Sequence, residues 1–235
     1  MERSELVLRF LGSQTFEKPD SLAKPGERAF VTISRQAGTG GRSLAAALLE
    51  EFVRRGVPAL SGWQWVDREV CESLAADPRL HVSLSALLDE RHRGRLEDYL
   101  LQVISGAAPQ IMLHRALFAT MRSLASVGKV VIVGRAGVCA TRGLPGGAHV
   151  RLIGSRGARI ERVGQRFGWG QAQAERWVYE QDRARAAVVK EYFAHDIQDP
   201  LLYDAVINTD TVPVPAAAAA IAELVLARVV VASEA

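Results

Sequence analysis

The amino-acid sequence predicts an α/β protein with a parallel five-stranded sheet covered by helices on both faces. Short β-prone runs alternate along the chain with longer segments whose apolar residues recur at helical spacing. Such alternation implies right-handed crossover connections, which place the strands parallel and pack the helices against the sheet. Because 49% of the 235 residues are hydrophobic, the chain can bury a sizeable core.

Five short runs carry the residues that favour strands buried on both faces. In chain order they are AFVTIS (29–34), LSGWQWVD (60–67), KVVIVG (129–134), HVRLIG (149–154) and YDAVINT (203–209). A parallel sheet binds its ligands at the carboxyl ends of its strands. The residues that follow these runs are therefore the candidates for a functional site.

Helical spacing of apolar residues predicts the helices between the strands. They cover 42–55, 68–76, 109–128, roughly 155–194 and 216–231. Pro109 suits the first turn of its helix, and Gly128 suits the end of the same helix. Gly168 and Gly170 mark a break in the long fourth stretch.

Composition argues against several classes of protein. The net charge of +3 is too small to indicate a nucleic-acid partner. Arg9 interrupts the short apolar run at the start, which is unlike a secretory signal, and no stretch is long and uncharged enough for a membrane helix. Cys71 and Cys139 form neither a metal spacing nor a disulfide framework, which fits a cytoplasmic protein. Nearly all the basic residues are arginine, which indicates either phosphate binding or codon bias.

Residues 35–41 form a glycine-rich turn between the first strand and the helix that follows it. Gly38, Gly40 and Gly41 let the backbone curl until its N–H groups face an anion. The helix adds the positive end of its dipole at the same place. Ser43, one turn into the helix, could offer its hydroxyl to a magnesium ion.

The turn departs from the usual phosphate-loop pattern G-x-x-x-x-G-K-[ST]. Arg35 stands where the pattern has its first glycine, and Gly41 stands where it has its lysine. Spacing alone therefore leaves two interpretations open. The turn is either a phosphate site without its lysine or a turn that only resembles one.

Five stretches of the chain, in the same order, resemble the cytidylate kinase-like family. The resemblance runs from about residue 29 to residue 231. The stretches are VTISRQAGTGGRSLAAALLEEF (31–52), WVDREVCESLA (65–75), VIVGRAG (131–137), EQDRARAAVVKEYF (180–193) and DPLLYDAVINTD (199–210). Together they include the Ser-Arg and Gly-x-Gly-Gly-Arg turn with which members of that family typically open.

The resemblance implies a three-layer P-loop kinase-like fold with a helical acceptor-binding insert and a lid. One domain would cover residues 29–235 after an N-terminal arm at 1–28, with the insert at about 77–108 and the lid at about 162–185. Such enzymes move the terminal phosphate of ATP onto a nucleoside monophosphate, here most simply CMP or dCMP, with Mg²⁺ as cofactor.

The resemblance also places the ATP phosphates on six consecutive residues of the turn. They are Gly38, Thr39, Gly40, Gly41, Arg42 and Ser43. Because Gly41 aligns with the lysine of the true cytidylate kinases, a guanidinium must come from elsewhere. Arg42 is the first candidate for this catalytic role, and Arg35 is the second. Arg42 could instead point outward toward the face of Glu50 or Glu51.

The acceptor would be bound by Asp67, Arg135 and Asp182. Asp67 aligns with an aspartate near the acceptor site of the cytidylate kinases. It could hold the acceptor or magnesium-bound water, cap the helix that starts at Arg68, or do both. Arg135 resembles an arginine that grips the acceptor nucleotide. It is followed by Ala136 instead of the family's aspartate, which puts specificity for cytidine in doubt.

Asp182, Arg183 and Arg185 lie on the lid-side helix. In the resembling enzymes, lid arginines stabilise the transferring phosphoryl group, so both arginines are catalytic candidates. Because they are two residues apart, they do not share a helix face. One could therefore meet the phosphates while the other faces solvent or Asp182.

Three functions are compatible with the sequence. The first is a nucleotide kinase that acts on CMP or dCMP with Mg-ATP. The second is a nucleotide-binding regulator that kept the fold and lost the chemistry, as the missing lysine and Ala136 indicate. The third is a module that binds nucleic acid or protein through its arginines, against which the modest net charge argues.

Overall fold

The structure, a computed structural model, describes residues 28–76, 109–134 and 136–231. Its five strands are β1 (Phe30–Arg35), β2 (Gln64–Val66), β3 (Val130–Val133), β4 (Gly147–Ile153) and β5 (Ala205–Asn208). All neighbours pair in parallel, in the order β2-β3-β1-β4-β5. The predicted parallel five-stranded sheet is therefore confirmed.

Helices connect these strands. They are α1 (Gly41–Arg55), α2 (Arg68–Ala76), α3 (Pro109–Val127), α4 (Gly137–Ala140), α5 (Arg156–Phe167), α6 (Gln171–Phe193) and α7 (Val214–Val231). The predicted break at Gly168 and Gly170 separates α5 from α6, since Gly168 ends α5 in the left-handed conformation. The short helix α4, directly after β3, has no counterpart among the predicted helices.

The second strand is shorter than the sequence predicts. Residues Pro58–Leu60 form a 3-10 turn, and Gly62 then turns the chain with a φ of 78° before β2 begins at Gln64. The left-handed conformation of Gly62 interrupts an extended strand, so the ladder begins only after this residue. Only the last part of the predicted run 60–67 is therefore strand.

Two apolar layers enclose the sheet. On one face, α1 and α7 bury side chains such as Leu48, Phe52 and Ile221 against β1, β3 and β4. On the other face, α2 and α3 bury side chains that include Cys71 and Met121 against Phe30, Val130 and Ile132. Helices on both faces of a parallel sheet form the predicted three-layer α/β architecture.

A polar strip interrupts the second of these faces. Residues two apart on a strand point to the same face, so Thr32 and Ser34 of β1 lie beside their register partners His149 and Arg151 of β4. The Thr32 Oγ1 and His149 Nδ1 atoms are 2.8 Å apart. The strip runs from the middle of the sheet to its carboxyl edge, where the ligand site of such a fold is expected.

Two of the predicted segments lie outside the described residues. They are the N-terminal arm at 1–28, apart from Arg28, and the acceptor-binding insert at about 77–108. Within the described ranges, the helices are too short or too polar to cross a lipid bilayer.

Candidate functional site

The turn between β1 and α1, here called the glycine loop (residues 36–40), lies at the carboxyl edge of the sheet. Gly38 and Gly40 have φ angles of 79° and 76°, which disfavour any other residue. A Cβ on Gly38 would lie 2.5 Å from the carbonyl oxygen of Arg159, so only glycine lets α5 approach. Gly40 forms the N-cap of α1, where the structure places no side-chain cap and no acidic residue in the first turn. The helix therefore presents uncovered amides at its positive end.

Arginines of α5 fix the orientation of the glycine loop. Arg159 Nη1 donates to the carbonyl of Ala37 at 3.1 Å, and Arg162 Nη1 donates to the carbonyl of Gly38 at 3.4 Å. Across a planar trans peptide the N–H points opposite to the C=O. The amides of Gly38 and Thr39 are therefore turned away from α5, as a loop that wraps an anion requires.

Asp182 on α6 ties the same loop to the lid side. Its Oδ1 atom accepts the amide of Ala37 at 2.7 Å, and its Oδ2 atom lies 2.6 Å from Nη1 of the buried Arg159. The same carboxylate lies 3.7 Å from Arg185 Nη1. Asp182 thus supports the glycine loop in this structure, while its predicted contact with an acceptor stays a prediction.

Arg151, on β4, is a buried cation that sequence reasoning missed. Only 5% of the residue is exposed. Its Nη1 atom donates to Ser34 Oγ at 3.1 Å and to the Tyr203 hydroxyl at 3.3 Å, and its guanidinium lies 5.5 Å from the Tyr203 ring centroid. Among the described residues, no carboxylate lies within ion-pair distance of it. A buried guanidinium paired only with hydroxyl groups is a costly arrangement for a protein without an anionic ligand.

Arg151 and Arg159 lie close enough to Arg185 to act on it through space. The pKa of Arg185 is held below its usual value, above all by burial, and Arg159 and Arg151 lower it further by charge repulsion. Asp182 works in the opposite direction as the nearby anion. Arg159 and Arg185 therefore share one carboxylate while Arg151 adds a third cation nearby, which leaves a positive potential at this edge of the sheet.

A small cleft opens between the ends of β1 and β3 and the helix α6. The walls include Ser34, Arg35, Gly134, Ala136, Arg185 and Ile197. Arg185 also donates from Nη1 to the carbonyl of Arg35 at 3.2 Å. Arg183, by contrast, is exposed and does not line this cleft. The structure therefore separates the two lid arginines as their spacing predicted, although neither catalytic role is tested by it.

Arg42 points across the edge of the sheet to the start of α2. Its Nε atom lies 2.8 Å from Asp67 Oδ2, and its Nη2 atom lies 2.8 Å from Glu69 Oε1. These carboxylates raise the pKa of Arg42, with the hydrogen bond to Glu69 as the largest cause. Arg42 thus pairs with neither Glu50 nor Glu51 in the structure, and its contact with phosphate stays a prediction.

Asp67 is 2% exposed and uses both carboxylate oxygens. Its Oδ1 atom accepts the amides of Glu69 and Val70 at 3.1 and 3.2 Å, and its Oδ2 atom pairs with Arg42. The helix-capping interpretation of Asp67 is therefore confirmed. An acceptor that used this carboxylate would compete with Arg42 for it.

The structure gives few or no contacts for two of the predicted site residues. Arg135, the predicted acceptor-binding arginine, lies outside the described residues. Ser43 is exposed in the first turn of α1, which leaves its hydroxyl accessible. No group of three or more metal-ligating side chains occurs in the part of the chain that the structure describes.

The sequence did contain a signal for the missed residues Arg151 and Arg159. Arg151 interrupts the otherwise apolar run HVRLIG, and a charged residue in a buried strand calls for an explanation. Arg159 precedes the buried Ile160 on α5 and is itself 7% exposed. Their partners Ser34, Ala37 and Tyr203 are distant in sequence, which is why no local pattern pointed to the cluster.

Comparisons with known proteins agree with this geometry. A model of the cytidylate kinase-like family matches residues 30–211. The solved structure of an uncharacterized protein from Eubacterium ventriosum superimposes with a TM-score of 0.62 at 19% identity, over 85% of this chain and 99% of that one. A likeness at this identity shows a shared fold. No curated protein was found to match the chain.

Two kinase structures superimpose less closely. Shikimate kinase from Bacteroides thetaiotaomicron has a TM-score of 0.46 at 12% identity, over 83% of this chain and 97% of its own. A gluconokinase from Sinorhizobium meliloti has a TM-score of 0.41 at 15% identity, over 88% of this chain and 93% of its own.

Proposed function

Because this chain belongs to the cytidylate kinase-like family, we propose that it is a nucleotide kinase that transfers the terminal phosphate of ATP to a nucleoside monophosphate, most simply CMP or dCMP. One observation carries the proposal. Arg159 and Arg185 share the single carboxylate of Asp182 beside a preformed glycine loop, and the buried Arg151 adds a third positive charge close to Arg185. Phosphoryl transfer needs positive charge from several directions more than it needs covalent chemistry.

The donor phosphates would lie on the glycine loop and the first turn of α1. The amides of Gly38 and Thr39 face away from α5, and Gly40 leaves the N-terminus of α1 without a side-chain cap. The predicted phosphate-binding surface continues into the helix, whose first residues are Gly41, Arg42 and Ser43. Backbone N–H groups at a helix N-terminus are a general phosphate-binding arrangement.

The transferring and acceptor phosphates would lie in the cleft beside Arg185. Arg185 reaches the cleft from α6, and Arg151 stands behind Ser34 on the polar strip of the sheet. Both would hold phosphoryl oxygens and orient the acceptor for in-line attack. Arg135, which follows β3, would add a further contact to the acceptor.

Mg²⁺ would arrive with the nucleotide. This ion usually keeps several waters and binds through one or two protein oxygens together with substrate phosphates. Ser43 fits this requirement because its hydroxyl is exposed next to the glycine loop. Asp67 fits it less well, because Arg42 and two amides already use its oxygens. The ion would supply charge neutralisation to the phosphates when bound.

The test of this proposal is a coupled ADP-release assay over all common nucleoside and deoxynucleoside monophosphates, with Mg-ATP as donor. We expect turnover with CMP or dCMP, and a Michaelis constant for the acceptor that rises with ionic strength. If the folded protein binds ATP in calorimetry and yet phosphorylates none of the monophosphates, the kinase proposal is wrong.

A nucleotide-binding regulator on the same fold is the second candidate. The ion pair between Arg42 and Asp67 favours it, because this pair occupies the carboxylate that the family places near the acceptor. This candidate predicts ATP or CMP binding without turnover. The same pair of measurements, calorimetry and the coupled assay, separates the two candidates.

We expect Arg42→Ala to affect stability more than ATP binding. The substitution removes the ion pair between Arg42 and Asp67, which is 2% exposed. This pair is weakened by solvent, because 38% of the Arg42 side chain is exposed. Urea unfolding should show a loss of about 1 kcal/mol, and the dissociation constant of ATP should change less than about threefold. Arg68→Ala, which removes an exposed pair with Glu72, is the matched control. A loss of ATP affinity beyond about tenfold would identify Arg42 as the phosphate-binding arginine.

A further inference from the structure

We infer that Tyr203 is a positioning residue whose hydroxyl, together with that of Ser34, holds one terminal nitrogen of the buried Arg151 and leaves the opposite edge of its guanidinium to bind the acceptor phosphate. This inference rests on the proposed function, because it names the contact that holds the acceptor. The three residues come from β1, from β4 and from the segment that leads into β5. They meet at one nitrogen atom, Nη1 of Arg151.

Arg151 makes all of its hydrogen bonds through this one nitrogen. Nη1 donates to Ser34 Oγ at 3.1 Å and to the Tyr203 hydroxyl at 3.3 Å. The Nε and Nη2 atoms make no hydrogen bond within the described part of the chain. Only 5% of the residue is exposed, yet neither of these two atoms is sealed from solvent. Their N–H groups are therefore within reach of a ligand.

The edge formed by Nε and Nη2 is the one that suits an oxyanion. These atoms carry parallel N–H groups on one side of the planar guanidinium, spaced to match two oxygens of a carboxylate or a phosphate. Arg54 uses the same edge in this protein, since its Nε and Nη2 atoms donate to the two carboxylate oxygens of Glu51, each at 2.7 Å. Arg151 therefore offers a phosphate the contact that Arg54 makes with a carboxylate.

The two hydroxyl partners of Arg151 hold it without cancelling its charge. Tyr203 has a single hydroxyl proton and donates it to the carbonyl of Ile197 at 2.9 Å. Its oxygen must therefore accept from Arg151 and from Ser34 Oγ, which lies 3.2 Å away. Ser34 donates its only proton to Tyr203 and accepts from Arg151. Both partners are thus neutral acceptors, and the full positive charge stays available to a ligand.

This hydrogen-bond network borders the cleft. Ser34 and Ile197, which contact the Tyr203 hydroxyl, both line the cleft. Arg185 lines it as well and lies close enough to Arg151 to be repelled by its charge. An oxyanion at this place would meet two guanidinium groups, which favours a phosphate over a neutral ligand. The Tyr203 ring, 5.5 Å from the Arg151 guanidinium, also restricts the movement of that group.

The first experiment removes the Tyr203 hydroxyl and keeps the ring. Calorimetry would measure the binding of CMP and of inorganic phosphate to the full chain and to Tyr203→Phe. We expect both ligands to bind about fivefold more weakly, because Nη1 loses an acceptor that fixes the guanidinium. In the coupled assay, KM for CMP should rise by a similar factor, while KM for ATP should change by less than about twofold. Tyr192→Phe is the matched control, since it removes a hydroxyl that lies 3.4 Å from His114 Nδ1, and it should leave all four quantities unchanged.

A double-mutant cycle then shows whether Tyr203 acts through Arg151. We expect Arg151→Leu alone to weaken CMP and phosphate by about tenfold or more, as loss of a charge-assisted contact predicts. Adding Tyr203→Phe to Arg151→Leu should weaken them by less than about twofold further, because the positioned group is already gone. If Tyr203→Phe does not fold, Ser34→Ala removes the other acceptor of Nη1 and takes its place in the same cycle.

Three outcomes would overturn the inference. They are equal losses from Tyr203→Phe with and without Arg151, unchanged binding of both ligands by Tyr203→Phe, and a natural chain that binds neither ligand. Failure of the proposed kinase activity is a separate result. In that case the binding of CMP and phosphate would still depend on Tyr203, and no monophosphate would be phosphorylated.

Discussion

Arg151→Leu is expected to make the protein more stable and far less active. In the ligand-free protein this guanidinium is buried beside Ser34 and Tyr203 without a carboxylate partner among the described residues. Replacing a buried charge by an apolar side chain of similar volume is often stabilising. The two hydroxyls remain satisfied, since they lie 3.2 Å apart and the tyrosine also donates to the carbonyl of Ile197.

Urea unfolding and the coupled kinase assay measure the two effects of Arg151→Leu. We expect the free energy of unfolding to rise by about 1 kcal/mol. We expect kcat/KM to fall by about two orders of magnitude, the usual cost of removing one preorganised charge from a transferring group. Arg68→Leu, at an exposed site, is the control and should change neither quantity appreciably. A variant that is less stable and equally active would show that Arg151 has a purely structural role.

Asp182→Ala is expected to act in the opposite direction on stability. The substitution removes the acceptor of the Ala37 amide and the only carboxylate paired with Arg159 among the described residues. Breaking a buried pair from one side leaves an uncompensated charge, which is strongly destabilising. We expect a loss of about 3 kcal/mol in urea unfolding, and weaker ATP binding because the glycine loop loses its anchor.

The neighbouring Glu180 offers a matched control for Asp182, because it is an exposed acid on the same helix. Glu180→Ala should change stability by less than about 0.5 kcal/mol. Asp182→Asn should fall between the two alanine variants, since its amide oxygen can still accept the Ala37 amide while its charge is gone. If Asp182→Ala cost no more than Glu180→Ala, the glycine loop would not depend on this carboxylate.

Local chemistry made most of the fold predictable. Alternating strand and helix patterns placed all five strands, and Gly168 with Gly170 placed the break between α5 and α6. The errors lie where tertiary context decides. The run 60–67 has strand-like composition, yet the chain turns at Pro58–Leu60 and again at Gly62 before it can join β3. The four-residue helix α4 is too short to produce a periodic signal.

The candidate site was predictable only in part, for the same reason. Spacing correctly indicated that Arg183 and Arg185 point in different directions, because two residues on one helix have a fixed angular relation. It could not show that Arg42 reaches Asp67, since that contact joins two segments far apart in the chain. Arg151 was missed because its neighbours Ser34 and Tyr203 come from other elements.

The grip of α5 and α6 on the glycine loop has a mechanical consequence. The helical hairpin is held to the glycine loop at its base by Arg159, Arg162 and Asp182. A lid motion of this hairpin, which stays a prediction, would therefore pivot further out, near the turn where the ring centroids of Phe167 and Trp169 lie 4.6 Å apart. Only the tip of the hairpin would then move. Mutations at the tip could therefore change the rate of closure without loosening the glycine loop.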